Sequence, residues 1–431
     1  MSALYDALAL LLVVAAGFAY LNYRLLKLPM AIGLMVLALL SSLGLLGLGR
    51  LGWTPVVRVA RLVDGLDFSV LLMQVMLGFL LFAGAINVDA RRLGELRWPV
   101  GLLATLGTVL STALVGLGMY ALLPLLGLDV PLLACLLFGA LISPTDPVAV
   151  LSILTKANIP ISLELKIVGE SLFNDGVGVV IFITLLRVAE VGTANASLGH
   201  TLGLFAQEAG GGIVLGTALG LGTAWLLRTI DNYQVEVLIT LALVTGGTAL
   251  AARLHVSGPL AMVMAGLWVG YYSRRGNILS DASKDYVDKF WELIDEVLNA
   301  MLFVLMGLEV LVLPLPRPTL LAGLLAVVIV LVARVAAVAA PLGLLRLRGH
   351  FEPSRHSVVV LSWGGLRGGL AVALALALPT TEHRELLVGM TYVVVVFSIV
   401  GQGLTIGPLV RWLGLSQPQP TPVEEATEIV K

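Results

Sequence analysis

Two carboxylates and two neutral polar side chains interrupt an apolar stretch in Gly169-Glu170-Ser171-Leu172-Phe173-Asn174-Asp175-Gly176, which runs straight into the apolar segment Val177 to Leu186. Charge inside a membrane-length apolar helix is expensive and marks function. At 100° per residue, Ser171 and Asp175 fall on one stripe of a helix, and Glu170 and Asn174 fall on the adjacent one. The first stripe offers a hydroxyl and a carboxylate, oxygen ligands of the kind a small hard cation takes. The second turns Glu170 toward a basic partner elsewhere. A plain helix start capped by Ser171 is the alternative, but it would trim to a short helix a span that begins near Leu163.

A second stretch, Ile142-Ser143-Pro144-Thr145-Asp146-Pro147-Val148, puts an aspartate between two prolines in the middle of an apolar span. Pro144 and Pro147 remove backbone donors and free carbonyls, so the helix should unwind there. Exposed carbonyls and half-helix ends beside Asp146 make an ion site; a simple proline kink with Asp146 turned to a loop is the blander reading. A third stretch, Ser362-Trp363-Gly364-Gly365-Leu366-Arg367-Gly368-Gly369, surrounds one arginine with four glycines, which allows local unwinding and close helix approach. Arg367 needs a buried carboxylate, and Glu170 is the expected partner in a structural pair. Arg334, a second intramembrane base, has no partner identifiable from sequence. Glu309, Asp295 and Glu296, at the ends of one span, read as interfacial groups sooner than as ligands, and Asp64, Asp67 and Asp89, which flank another, as solvated edges sooner than as the lining of a vestibule.

The elements that must position these residues follow from composition. Of 431 residues 58% are hydrophobic and 12% charged, against roughly 25% charged in soluble domains, so the chain is an all-α polytopic membrane protein. Apolar segments predict about thirteen spans, at 4-22, 28-49, 66-88, 98-126, 130-155, 163-187, 200-227, 233-252, 257-272, 289-313, 318-345, 356-379 and 386-410. Two inverted six-helix halves joined by one linker span would make the fifth and twelfth spans equivalent, and those are the two interrupted by Pro and Gly. Asp6 and the absence of a basic leader make the first segment a retained span. Residues 1-412 form the transmembrane domain, and 413-431 a short disordered tail. Seven basic residues (Arg50, Arg58, Arg61, Arg187, Arg253, Arg317 and Arg384) fall on one side and 17 on the other, which predicts the N-terminus outside and the C-terminus in the cytoplasm. A net charge of −1 offers nothing to nucleic acid. Cys135 is alone and reads as packing, and the five histidines lack metal-ligand spacing, so neither zinc nor haem is expected. Absence of any Walker pattern fits a gradient-driven process without ATP or another cofactor.

Thr145-Asp146-Pro147, Glu170-Ser171 with Asn174-Asp175, and Gly365-Leu366-Arg367-Gly368, in that order and spacing, make the chain resemble the monovalent cation/proton antiporters of the NhaP and NHE type. The resemblance covers nearly the whole hydrophobic chain. It implies that Asp175 and Asp146 bind the cation with help from Ser171 and a backbone oxygen of Thr145, that Asn174 is structural and bonded near Thr145, and that Glu170 pairs with Arg367. It also implies a core domain of crossed, broken helices, a separate dimerisation domain, a homodimer in the plasma (inner) membrane, and a part in pH homeostasis. Leu81-Phe82-Ala83-Gly84 departs from the Leu-Phe-Glu pattern of some relatives, so no third-span carboxylate is supplied here. The function implied is exchange of Na+ or Li+ for H+, one for one because Asn174 stands where other relatives carry a second aspartate. A K+/H+ antiporter, a cation channel lined by Asp146 and Asp175, and an intramembrane aspartyl protease using them as a dyad are the rivals; the last leaves Arg367 and the repeated plan without a role.

Overall fold

The fold was described from a computed structural model, in which residues 2–51, 70–191, 198–275, 280–311, 313, 315–347 and 355–415 are described. Asp64, Asp67, the first residues of the expected third span and most of the expected tail lie outside them. The chain is helical throughout the described residues, and eight of its helices are long and apolar enough to cross a membrane. This is a multi-pass membrane protein.

The first helices are α1 (Ser2–Leu21), α2 (Met30–Arg50), α3 (Leu77–Ile86), the short α4 (Ala90–Glu95), α5 (Arg97–Leu102) and α6 (Thr108–Leu122). A wide π-turn, Leu103–Gly107, joins α5 to α6, and another, Leu71–Met76, leads into α3. Next come α7 (Leu132–Ile142), α8 (Val148–Lys156) and the 31-residue α9 (Ile161–Val191). These are followed by α10 (Leu198–Leu227), α11 (Tyr233–Arg253), α12 (Gly258–Arg274), α13 (Asp281–Glu309) and α14 (Arg317–Leu347). The chain closes with α15 (Arg355–Trp363), α16 (Gly369–Leu376), α17 (Arg384–Val396) and α18 (Gly403–Trp412), the last two joined by a π-turn over Phe397–Gln402.

Two of the expected spans are thus pairs of half-helices. α7 stops at Ile142, where Pro144 and Pro147 withdraw two amide donors from the ladder, and α8 starts only after the second proline. α15 stops at Trp363 in front of Gly364 and Gly365, and α16 restarts at Gly369. The two unwound segments cross as extended chains: the Asp146 amide donates to the Leu366 carbonyl at 2.8 Å, an antiparallel bridge in the middle of an otherwise helical molecule.

Packing sorts the helices into two groups. α1, α2, α3, α10, α11, α12 and α13 pack chiefly on one another, and α5 to α9 with α14 to α18 form the other group around the crossing. α9 also touches α10 and α12, so the helix that carries the polar motif lies along the seam between groups. Without water to drive association, helix contacts in a membrane rely on close approach of small residues. Gly270 of α12 sits against the Ile86 carbonyl of α3 and Gly139 of α7 against the Thr112 carbonyl of α6, positions with no room for a Cβ.

Candidate functional site

The crossing concentrates backbone groups that a continuous helix would have paired internally, and several of them meet side chains brought in from other helices. At the end of α7 the Ser143 and Pro144 carbonyls accept from Nη1 of Arg367, the latter at 2.9 Å. At the end of α15 the Leu361 carbonyl accepts from Nη2 of Arg334 at 2.9 Å. A buried guanidinium therefore meets the negative end of each broken first half-helix. The Trp363 carbonyl accepts from Nε2 of Gln402 at 3.0 Å, and the Arg367 amide donates to the Ser398 hydroxyl at 2.9 Å, which in turn donates to Gln402 Oε1 at 2.7 Å. Ser398 and Gln402 both lie on the π-turn between α17 and α18, whose extra residue per turn brings the two side chains to one side.

Asp146 occupies the crossing itself. Its Oδ1 accepts from the Val148 amide at 2.9 Å, at the first turn of α8. Its other oxygen packs against Gly368, at the start of α16, so closely that a Cβ there would overlap it. One carboxylate thus lies at the N-terminal ends of two half-helices.

From α9, Asn174 clamps the neighbouring residue of the broken segment at both ends of its amide: Nδ2 donates to Thr145 Oγ1 at 2.8 Å, and Oδ1 accepts from the Thr145 amide at 3.3 Å. Ser171 Oγ donates to the Thr145 carbonyl. Asp175, one turn beyond Ser171, is half-buried. Asp146, Asp175, Ser171, Thr145, Pro144 and Pro147 all line a single cavity of about 470 Å³ whose lining also includes Asp89, Glu164 and Arg274. Two carboxylates, a hydroxyl and the Thr145 backbone share that lining, an oxygen-rich set of the kind a small monovalent cation takes.

One expectation needs correcting. Glu170 does not pair with Arg367: it receives Nη1 and Nη2 of Arg334 in a bidentate pair, the second contact at 3.0 Å, with both side chains buried. Gly365 explains the exchange of partners. It has no side chain, and a Cβ there would run into the Arg334 guanidinium, so the unwound segment leaves a channel through which α14 delivers Arg334 to Glu170. Arg367 is spent instead on the carbonyls of α7. An arginine without an evident partner in one span and a glutamate with a provisional one in another was the signal present in the sequence, but spacing along the chain does not choose between two arginines.

The flanking acids also divide. Glu296 is exposed and Asp89 caps α4 through the Arg91 and Arg92 amides at 3.0 and 3.2 Å, as edge groups do. Glu309 is buried, and Asp295, expected at an interface, lines the cavity with Asp146 and Asp175. Ala83 is buried away from it, while its neighbour Gly84 is in the lining. Ser398, Gln402, Asp295 and Asn299 carry no motif that separates them from other polar residues near span ends, and only their placement reveals them. Among the described residues, no cluster of three or more His, Cys, Asp or Glu forms a metal centre.

Residues 9–412 match the family model described as sodium/hydrogen exchanger, transmembrane. The chain is 49% identical over 417 residues to the Na+/H+ antiporter NhaP of Pseudomonas aeruginosa, spanning 96% of this chain and 98% of that protein. It is 34% identical over 404 residues to the Na+/H+ antiporter NhaH of Halobacillus dabanensis, spanning 91% and 94%. Its fold is similar to that of the sodium proton antiporter MjNhaP1 from Methanocaldococcus jannaschii, with a TM-score of 0.76 at 20% identity, over 97% of this chain and 99% of that one.

Proposed function

Because the chain belongs to the sodium/hydrogen exchanger family, we propose that it is a secondary antiporter exchanging Na+ or Li+ for H+, with cation and proton competing for the Asp146 and Asp175 carboxylates. The observation that carries this reading is the convergence of both carboxylates, Ser171 and Thr145 on one cavity at the crossing of two broken helices. Bound sodium needs the charged carboxylate and a bound proton removes that charge, so the two occupants exclude each other.

Either occupant adds one positive charge to the same site. The loaded site then has the same charge whichever ion it holds, and exchange is one for one and electroneutral. Asn174 supports this stoichiometry: both ends of its amide are committed to Thr145, so the position beside Asp175 contributes no second exchangeable proton. The empty site keeps its uncompensated charge, and moving one charge through a membrane interior costs about 3 kcal/mol, roughly 150-fold in population. Coupling follows, because only loaded sites change sides.

In this reading Glu170, Arg334, Arg367, Pro144, Pro147 and Asn174 shape the crossing without holding the ion. Thirteen spans in two inverted halves, a transmembrane domain over 1-412 with a tail from 413, an outer N-terminus, a cytoplasmic C-terminus, placement in the cell membrane and a homodimer complete the proposal, as does a part in pH homeostasis.

The test is proton flux in proteoliposomes containing a pH dye, with Na+, Li+ or K+ added outside. Sodium should drive proton movement in the wild type, unaffected by clamping the potential with valinomycin and K+, and Asp175→Asn should abolish it. A potassium response exceeding the sodium response assigns K+ in place of Na+. Flux that tracks the clamp refutes electroneutrality, and exchange that survives Asp175→Asn removes Asp175 from the site.

A further inference from the structure

We propose that Asp295 and Asn299 of α13 form an outer station of the cation path, where a still-hydrated monovalent cation is held before it reaches Asp146 and Asp175. The proposal deepens the antiporter reading and rests on it.

The two residues are one helical turn apart and present one face of α13 to the cavity. Asn299 is 7% exposed, and its Nδ2 is turned toward the Asp295 carboxylate without reaching full hydrogen-bond geometry with any protein atom. A buried donor left in that state is unfavourable unless something else meets it. The adjoining cavity supplies space for water, whose oxygen accepts from Nδ2, so an ion that keeps part of its water is accommodated beside Asp295. Asp295 is half-buried beside it, whereas its neighbours Glu292 and Glu296 are exposed, so of these three carboxylates it alone is turned into the cavity.

Charge in the cavity favours the same occupant. Asp89, Asp146, Glu164, Asp175 and Asp295 line it against a single base, Arg274, which donates to the Asn87 carbonyl at the rim. Clefts of one sign with apolar walls concentrate counter-ions by about 10- to 1,000-fold. Asp295 and Asp146 belong to different packing groups, α13 in one and the crossing in the other. A cation moving from the first to the second passes across the seam along which α9 lies.

The experiment measures initial proton flux against sodium concentration in proteoliposomes for wild type, Asp295→Asn, Asp295→Glu and Asn299→Ala, at low ionic strength and with added choline chloride. Asp295→Asn should raise the half-saturating sodium concentration about 3- to 10-fold with a maximal rate within about twofold of wild type, and should blunt the choline effect. Asp295→Glu should stay near wild type, and Asn299→Ala should shift half-saturation in the same direction by less. A loss of maximal rate at unchanged half-saturation in Asp295→Asn would mean a merely structural role and overturns the proposal, as does a wild-type curve from that variant. If wild-type vesicles exchange no protons for sodium, the antiporter reading fails and this one with it; if they do and Asp295→Asn is indistinguishable, only the outer station falls.

Discussion

At the scale of single residues, the decisive contact is the buried pair between Arg334 and Glu170. Arg334 holds the carboxylate with one edge and the Leu361 carbonyl with the same terminal nitrogen, so it ties α9 to the end of α15 through α14. A buried pair adds little over a well-packed apolar one, but removing a single partner leaves a charge with no water and no counter-ion. Arg334→Ala should therefore destabilise the protein by about 3–5 kcal/mol, Arg334→Lys should recover only part because an ammonium lacks the planar fork, and the double change Glu170→Met/Arg334→Met should be more stable than Arg334→Ala. Thermal unfolding in detergent, followed by tryptophan fluorescence, ranks the three. An Arg334→Ala protein that melts with wild type would show that Glu170 finds another base, with Arg367 the nearest candidate.

At the scale of elements, the site exists because two helices are interrupted at the same depth and cross. The prolines of one and the glycines of the other reach this by different routes, loss of donors in the first and loss of side chains in the second. Gly368 is where the second route is tested most directly. Its backbone dihedrals suit any residue, so only space decides, and the space is filled by the Asp146 carboxylate. Gly368→Ala should leave a folded protein whose Asp146 is displaced and whose exchange falls at least tenfold. Gly343→Ala on α14, where a Cβ meets nothing within 4 Å, should exchange as wild type does. Flux normalised to reconstituted protein makes the comparison, and equal activity in the two variants would separate the close approach at Gly368 from function.

At the scale of the whole molecule, the cavity lies at the seam between two packing groups, and in the proposed exchange it takes both substrates. Competition then sets the pH dependence. A carboxylate that must be charged to hold sodium becomes harder to load as protons accumulate, so lowering the pH on the sodium side should raise half-saturating sodium, approaching tenfold per pH unit once the protonated form predominates, with the maximal rate preserved when sodium is in excess. Sodium titrations at several pH values in vesicles check this. A maximal rate that falls with pH at saturating sodium would indicate a separate proton-sensing group.

Helical class, membrane residence and most of the polar residues that line the cavity at the crossing were legible in the chain itself, for local reasons. Hydropathy over about 20 residues reports a span, Pro144 and Pro147 interrupt a helix wherever they stand, and the period of 3.6 places Ser171 with Asp175 and Glu170 with Asn174 before any packing is known. The pairing of Asn174 with Thr145 came only from resemblance, and the structure supplies its geometry. Long-range choices were not encoded locally. Which arginine answers Glu170 depends on α14 passing behind Gly365, and the support that Ser398 and Gln402 give the second break depends on a π-turn that apolar composition does not announce. Asp295 and Asn299 belong to the cavity because α13 packs against α3 and α16, and no pattern within α13 distinguishes a charge at the molecule's edge from one facing a cavity. Periodicity and backbone chemistry act within a few residues and can be read in order; partnership between buried charges is a property of distance in space, which only the packed helices decide.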